Sequence, residues 1–201
     1  DGGSRKFIMV QLPEACDEKS EAAKAGYKSI CEIGKERIRR AGKKIAAEVE
    51  ESNRQLKLGE EPKKVSDIGF RVLKIDSSNF EDVSAEPAQF TQETLMSLAD
   101  NLKPNRTAED LLFQVMPQLQ IPLSAYIEKL DIQGFTVYSV DGGRLVACFD
   151  AGVTNDAIAA MAKLEPDYAV MRDASFVGDD VVSNFGELFK TYSPATITKV
   201  I

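Results

Sequence analysis

Two polar side chains follow a short apolar run near the start of the chain. The run is Phe7-Ile8-Met9-Val10, Gln11 follows it directly, and Glu14 comes three residues later. A run without polar alternation is typical of a strand buried on both faces of a mainly parallel sheet. Ligands of open α/β sheets bind beyond the carboxyl ends of strands, and the two oxygens of one carboxylate suit two adjacent ribose hydroxyls. Glu14 is therefore a candidate ribose ligand with Gln11 as a second contact.

The competing interpretation of Glu14 is a solvated loop acid or a cap of the following helix. The strand itself needs sheet neighbours, and residues 1–6 supply none. We therefore expect the chain to begin midway through an α/β domain.

A second group of charged residues falls within a long helical pattern. Its functional interpretation is phosphate contact with DNA, and the alternative is the solvated face of a helix. The solvated face is favoured, because helical spacing spreads the charges around the polar side and three glutamates follow directly. The basic residues are Lys35, Arg37, Arg39, Arg40, Lys43 and Lys44, with Glu36 among them.

Three acids near the C-terminus allow a divalent-cation interpretation. Asp173 follows a predicted strand, and Asp179 and Asp180 begin the next predicted helix. Asp179 or Asp180 as a helix cap is the favoured alternative, because an acid there stabilises the positive end of the helix.

Composition excludes several kinds of chemistry. The chain has no histidine, which removes Ser-His and Cys-His pairs and His-ligated metal sites, and its net charge is −7. Cys16, Cys31 and Cys148 are odd in number and far apart, which is typical of reduced thiols in a cytoplasmic protein. No apolar run approaches the roughly 20 residues of a membrane span, and no signal peptide opens the chain. Phosphate-binding glycine loops and a GxSxG elbow are also missing, so the residues alone indicate a noncatalytic piece of an α/β protein.

The first half of the chain is predicted to hold two strands around a long helical segment. Residues 7–11 form the first strand, and residues 17–56 are helical with a break at Gly26. Residues 67–76 alternate apolar and polar, which predicts a strand with one solvated face. A polar loop and a helix follow within residues 80–104.

The second half is predicted to be a small mixed α/β unit that begins near residue 104. Thr107 and Asp110 form a capping box at the start of a helix that Pro117 kinks or ends. Ser124 caps a short helix through Leu130. The remaining elements follow the order β-β-α-β-α-β. They are a hairpin around Asp141-Gly142-Gly143-Arg144, a helix after Thr154, a strand at 168–171, a helix at 179–190 and a strand at 197–201.

Several blocks together resemble the modification subunits of type III restriction-modification systems, which are adenine-specific DNA methyltransferases. The block Gly2-Gly3-Ser4-Arg5-Lys6-Phe7-Ile8-Met9-Val10-Gln11-Leu12-Pro13-Glu14 is similar to the stretch that follows the FxGxG loop of that family. The resemblance covers nearly the whole chain. It continues in order through residues 27–41, 69–79, 100–112, 169–176 and 184–194.

The resemblance implies methyl transfer from S-adenosylmethionine to the exocyclic amine of a flipped adenine. The catalytic DPPY motif and the FxGxG cofactor loop of the family do not occur in this sequence. The resemblance implies that Glu14 lies at the cofactor ribose with Gln11 beside it. It also implies that Asp76 or Ser77 lies near the adenine moiety. Related methyltransferases more commonly have an acid at the position of Gln11.

The expected fold is a partial Rossmann-like methyltransferase sheet in residues 1–104, followed by an α/β domain in residues 105–201. By the resemblance, the second domain dimerises or docks a partner. The expected partners are double-stranded DNA through the whole protein, a second copy of the chain and a restriction subunit, in the cytoplasm and without a membrane. The alternatives are a noncatalytic interaction module and a stand-alone DNA-binding domain that uses residues 35–44.

Overall fold

The protein divides into two compact units. The computed structural model describes residues 6–81, 101–176 and 178–201. The two units, grouped by their internal contacts, are Asp1–Leu73 and Lys74–Ile201. The division falls inside the segment predicted as the second strand, and the functional boundary proposed near residue 104 stays a prediction. The helix predicted within residues 80–104 falls largely outside the described residues.

The first unit is built around one long helix. Helix α1 spans Glu21–Lys24, and the Ser20 hydroxyl accepts a hydrogen bond from the backbone N–H of Ala23 at 3.2 Å. Gly26 has a φ of +91°, a conformation that stops a helix at little cost only for glycine. Helix α2 then runs for 25 residues over Ile30–Arg54. The predicted helical segment with a break at Gly26 is confirmed.

Residues 63–70 pack along α2. Gly42 is the buried residue of the helix, and a Cβ there would lie 3.2 Å from the Cβ of Ile68. The guanidinium of Arg39 lies 5.7 Å from the ring centroid of Phe70. Near the end of α2, the Asn53 side chain exchanges two 2.8 Å hydrogen bonds with the backbone of Lys63. The segment is thereby attached to the helix at both ends.

The two strands predicted for this unit, at residues 7–11 and 67–76, are absent from the described residues. Neither segment has the pairing of a strand, and Ile8 is 93% exposed. A strand is stable only when neighbours satisfy its N–H and C=O groups. Around residues 6–20 the described chain supplies one isolated bridge, Ala15 to Ser29. Both strand predictions are therefore wrong, and the described residues of this unit contain no part of the expected sheet.

The second unit contains a five-stranded mixed sheet in the order β1-β2-β3-β4-β5. The first three strands pair antiparallel and the last three pair parallel. The expected mixed α/β class is therefore confirmed for this unit. The strands are β1 (Ile127–Ile132), β2 (Phe135–Val140), β3 (Leu145–Cys148), β4 (Tyr168–Met171) and β5 (Ile197–Val200).

Helices cover both faces of this sheet. They are α3 (Ala108–Gln118), α4 (Asn155–Ala162) and α5 (Asp179–Tyr192), with a 3-10 turn at Asp173–Ser175. Alternate residues of the central strands point to opposite faces. Leu145 and Ala147 of β3 pack in the cluster that contains α3, whereas Val146 and Cys148 pack in the cluster that contains α4 and α5. The unit is a three-layer structure with two apolar cores.

Helix starts follow the predicted signals in two of three cases. Thr107 and Asp110 form a complete capping box at α3, and the Thr154 hydroxyl accepts from Ala157 N–H at α4. The N-cap of α5 is Gly178, so neither of the predicted acids is the cap. Glycine is tolerated at that position because it adopts the required backbone conformation freely.

The short helix predicted from Ser124 through Leu130 is wrong, because Ile127–Ile132 is strand β1. The strand pairs with β2 from Ile127 opposite Val140 to Ile132 opposite Phe135. A two-residue turn joins them, with φ of 55° at Gln133 and 85° at Gly134. Such turns match the twist of paired strands. The observed order is β-β-β-α-β-α-β, one strand more than predicted.

Candidate functional site

Glu14 is held by its backbone and leaves its carboxylate exposed. Its N–H donates to the carbonyl of Leu12 at 2.9 Å, and its carbonyl accepts from the N–H of Ile30, the first residue of α2, at 3.0 Å. Within the part of the chain that the structure describes, the carboxylate makes no side-chain hydrogen bond. The geometry leaves both carboxylate oxygens available to adjacent hydroxyl donors.

Gln11 lies three residues before Glu14 on the same segment. Its side-chain amide donates to the carbonyl of Leu12 at 3.3 Å, and the side chain is exposed. The thiol of Cys31 on α2 lies 3.5 Å from the Leu12 carbonyl and 3.7 Å from that of Gln11. These contacts place the predicted ribose-binding segment beside the first turn of α2. The roles of Gln11 and Glu14 at a cofactor stay predictions.

Asp76 belongs to the second unit and already has partners there. One carboxylate oxygen accepts from Arg106 at 2.8 Å, and the other accepts from the N–H of Ser77 at 2.7 Å. Arg106 also donates to the Ser77 hydroxyl at 3.2 Å, and Lys103 donates to the same hydroxyl at 3.0 Å. The arrangement connects the segment before residue 81 to the start of α3.

The hydrogen bond from Arg106 is the main reason that the pKa of Asp76 is lowered, and the Ser77 N–H adds to it. Arg106 and Lys103 were not singled out in the sequence. Nothing in their spacing from Asp76 signals the contact, since 30 residues separate Arg106 from Asp76 along the chain. The place of Asp76 near a cofactor adenine stays a prediction.

We expect this ion pair to make the second unit sensitive to acid. Because the folded-state pKa of Asp76 is lowered, its stabilisation is present above the unfolded pKa near 3.8 and is lost as the pH falls through the folded pKa. Urea unfolding between about pH 5 and pH 2 measures this. Asp76→Asn should lose less stability across that range than the unsubstituted chain.

Glu128→Gln removes one exposed carboxylate from the edge strand β1 and is the matched control. It should show the same acid loss as the unsubstituted chain. A pH profile of Asp76→Asn that coincides with the original profile would mean that the pair contributes nothing to stability.

The basic residues of α2 are partly neutralised by acids on the same helix. Glu36 pairs with Arg40 at 2.8 Å and lies 4.0 Å from Arg39, and Lys44 lies 3.9 Å from Glu48. The hydrogen bond from Arg40 lowers the pKa of Glu36. Three of the six basic residues therefore have an acid of the same helix within 4.0 Å.

The described residues give little support to a reactive cysteine or to a metal site. All three cysteines are free, and burial raises the pKa of the Cys148 thiol to about 11, so it is protonated near neutral pH. The described side chains contain no group of three or more His, Cys, Asp or Glu placed to hold a metal ion. Asp173 is exposed, and the side chains of Asp179 and Asp180 fall outside the described part. The cation interpretation of that cluster stays untested.

Comparison with characterised proteins gives one partial similarity, to a subunit of a restriction-modification enzyme. A 71-residue stretch of the chain is 38% identical to the Mod subunit of the type III restriction-modification enzyme StyLTI of Salmonella typhimurium LT2. It covers 35% of this chain and 9% of that protein, so the match spans under a tenth of the relative's length. No protein-family model matches the sequence. The predicted resemblance is confirmed as a distant, partial match.

None of the helices in the described residues is both long enough and apolar enough to span a bilayer.

Proposed function

We propose that this chain is the C-terminal part of a site-specific DNA adenine methyltransferase of a type III restriction-modification system. In this proposal the whole protein transfers a methyl group from S-adenosylmethionine to adenine in double-stranded DNA. Glu14 holds the cofactor ribose and Gln11 adds a contact. The observation that carries the proposal is the 38% identity to the StyLTI Mod subunit over 71 residues.

The exposed apolar residues of the first unit support a place inside a larger α/β domain. Phe7, Ile8, Met9, Val10 and Leu12 are each more than 60% exposed. Contiguous exposed apolar residues mark surfaces that another part of a protein covers. The proposal explains them as a strand of a Rossmann-like sheet, whose neighbours belong to the catalytic part of the methyltransferase.

Methyl transfer tests the proposal directly. The 201-residue chain should transfer no labelled methyl group from S-adenosylmethionine to DNA, because it lacks the DPPY and FxGxG motifs. The protein encoded when the reading frame is extended upstream of Asp1 should transfer it. A start codon at or near Asp1, without an upstream cofactor loop, would contradict the proposal. So would micromolar binding of S-adenosylmethionine by the short chain at one-to-one stoichiometry in calorimetry.

A second candidate function is a noncatalytic interaction module. Lys74–Ile201 forms a compact unit whose sheet has an apolar core on each face. A unit of this kind is able to fold without the catalytic domain. Within the proposed methyltransferase it would bind a second copy of the chain or a restriction subunit.

Sedimentation of the Lys74–Ile201 unit tests the self-association form of this function. We expect a concentration-dependent increase in mass toward a dimer between about 1 and 100 μM. A folded monomer over the whole range would exclude dimerisation by this unit and leave docking of a different subunit as its role.

A further inference from the structure

The basic residues of α2 form two regular rows. Positions i, i+4 and i+8 hold Lys35, Arg39 and Lys43, and positions i, i+3 and i+7 hold Arg37, Arg40 and Lys44. At about 100° per residue, the six side chains fall within an arc of roughly 200°, away from the apolar stripe that contains Ile38 and Ile45. The rows therefore occupy one broad side of the helix.

Three of the six cations have no ion-pair partner among the described residues. Arg39, Arg40 and Lys44 have the acidic neighbours described above. Lys35, Arg37 and Lys43 form no ion pair with any residue of the described ranges. Residues 35–44 contain six basic residues and one acid, in a chain whose net charge is −7. The middle of α2 is thus a local positive surface on an acidic protein.

The spacing of the rows fits an even line of negative charges. Four residues of α-helix rise about 6 Å. Phosphates of one DNA strand follow one another at about 3.4 Å along the duplex axis, so every second phosphate lies about 6.8 Å further on. Because α2 is a continuous helix, the backbone positions of these cations are fixed before any ligand arrives.

We propose that this surface of α2 binds the phosphate backbone of double-stranded DNA without reading its sequence. Lys35 and Lys43 act as point charges, and the Arg37 guanidinium is able to donate to two phosphate oxygens at once. Phosphate contacts of this kind position a protein on the duplex and carry no base information. The inference rests on the proposed function, since it names how that methyltransferase holds its substrate away from the target base.

The salt dependence of duplex binding tests the proposal on the full 201-residue chain. The probe is a fluorescent 24-base-pair duplex of arbitrary sequence, followed by anisotropy between about 25 and 200 mM salt. The substitutions Lys35→Gln, Arg37→Gln and Lys43→Gln together should weaken binding at 50 mM salt at least tenfold. They should also reduce the slope of log affinity against log salt by about 2–3, because each phosphate contact contributes about 0.9.

A control variant with the same charge change distinguishes an effect of the α2 surface on duplex binding from an effect of the net charge. Lys19→Gln, Lys28→Gln and Lys64→Gln remove three exposed lysines elsewhere in the first unit and should leave the slope within about 0.5 of the original. Far-UV circular dichroism of both triple variants should match that of the unsubstituted chain.

Three results would overturn the proposal. They are no duplex binding by the unsubstituted chain at 25 mM salt, equal weakening by both triple variants, and poly-glutamate binding as tight as duplex binding. The last result would assign an acidic protein as the partner. None of these measurements involves S-adenosylmethionine, so a failure here leaves the methyl-transfer test of the proposed function intact.

Discussion

Truncation of Phe189 to alanine is expected to lower the free energy of unfolding of the second unit by about 3–5 kcal/mol. Phe189 is 1% exposed and packs edge to face on Phe185, with ring centroids 5.3 Å apart. It lies in the core between the sheet and helices α4 and α5. The change removes a buried aromatic ring and leaves a cavity that rigid neighbours fill only in part. Since domains are stable by about 5–15 kcal/mol, the loss is a large share of the total.

Urea unfolding at neutral pH, followed by circular dichroism, measures the effect. Phe7→Ala is the matched control, because it makes the same chemical change at a side chain that is 62% exposed. That variant should unfold within about 0.5 kcal/mol of the original chain. A loss under about 1 kcal/mol for Phe189→Ala would show that the core is less tightly packed than described.

Replacement of Glu14 by glutamine is expected to weaken S-adenosylmethionine binding to the proposed whole methyltransferase by about tenfold to a hundredfold. Hydrogen bonds to a charged group contribute about 1.5–3 kcal/mol, which corresponds to that range. Glutamine keeps the size of the side chain, but it offers one acceptor oxygen and no charge. The backbone contacts of Glu14 with Leu12 and Ile30 do not involve the side chain, so the local structure should be retained.

Calorimetric titration of the whole protein with S-adenosylmethionine measures this loss. Glu18→Gln removes another exposed acid four residues along and should leave the affinity unchanged within twofold. If Glu14→Gln bound the cofactor as tightly as the original, the carboxylate would be a solvated loop acid. That was the competing interpretation from the sequence.

Local sequence signals predicted most helix ends and one of the two hairpins. Gly26 separates the two helices of the first unit, and Thr107 with Asp110 starts α3, because these residues act on the backbone within four positions. The turn at Asp141–Arg144 was predicted for the same reason. The turn at Gln133–Gly134 was missed, because Ile127–Ile132 has apolar residues at spacings that also fit a helix.

Of the candidate site, the sequence identified Glu14 and Gln11 but not the partners of Asp76. Glu14 and Gln11 were found because both lie within one short segment that has a recognisable pattern. The pairing of Asp76 with Arg106 joins residues distant in the chain, and such contacts depend on how the unit folds. The strands predicted at residues 7–11 and 67–76 were wrong for the same reason. An apolar run is compatible with a strand, but strand pairing requires a neighbouring strand that the run itself does not contain.

The amino-acid order alone determined where helices start and stop, which stretches are apolar enough to be buried, and which chemistries lack their essential residues. These properties depend on neighbours a few positions apart. Only the tertiary structure decided that β1 is an edge strand, that Asp76 is tied to Arg106, and that residues 7–12 remain uncovered. Each of these depends on a hydrogen-bonding or packing partner far away in the chain, and the free energy of such a contact is set by the folded arrangement as a whole.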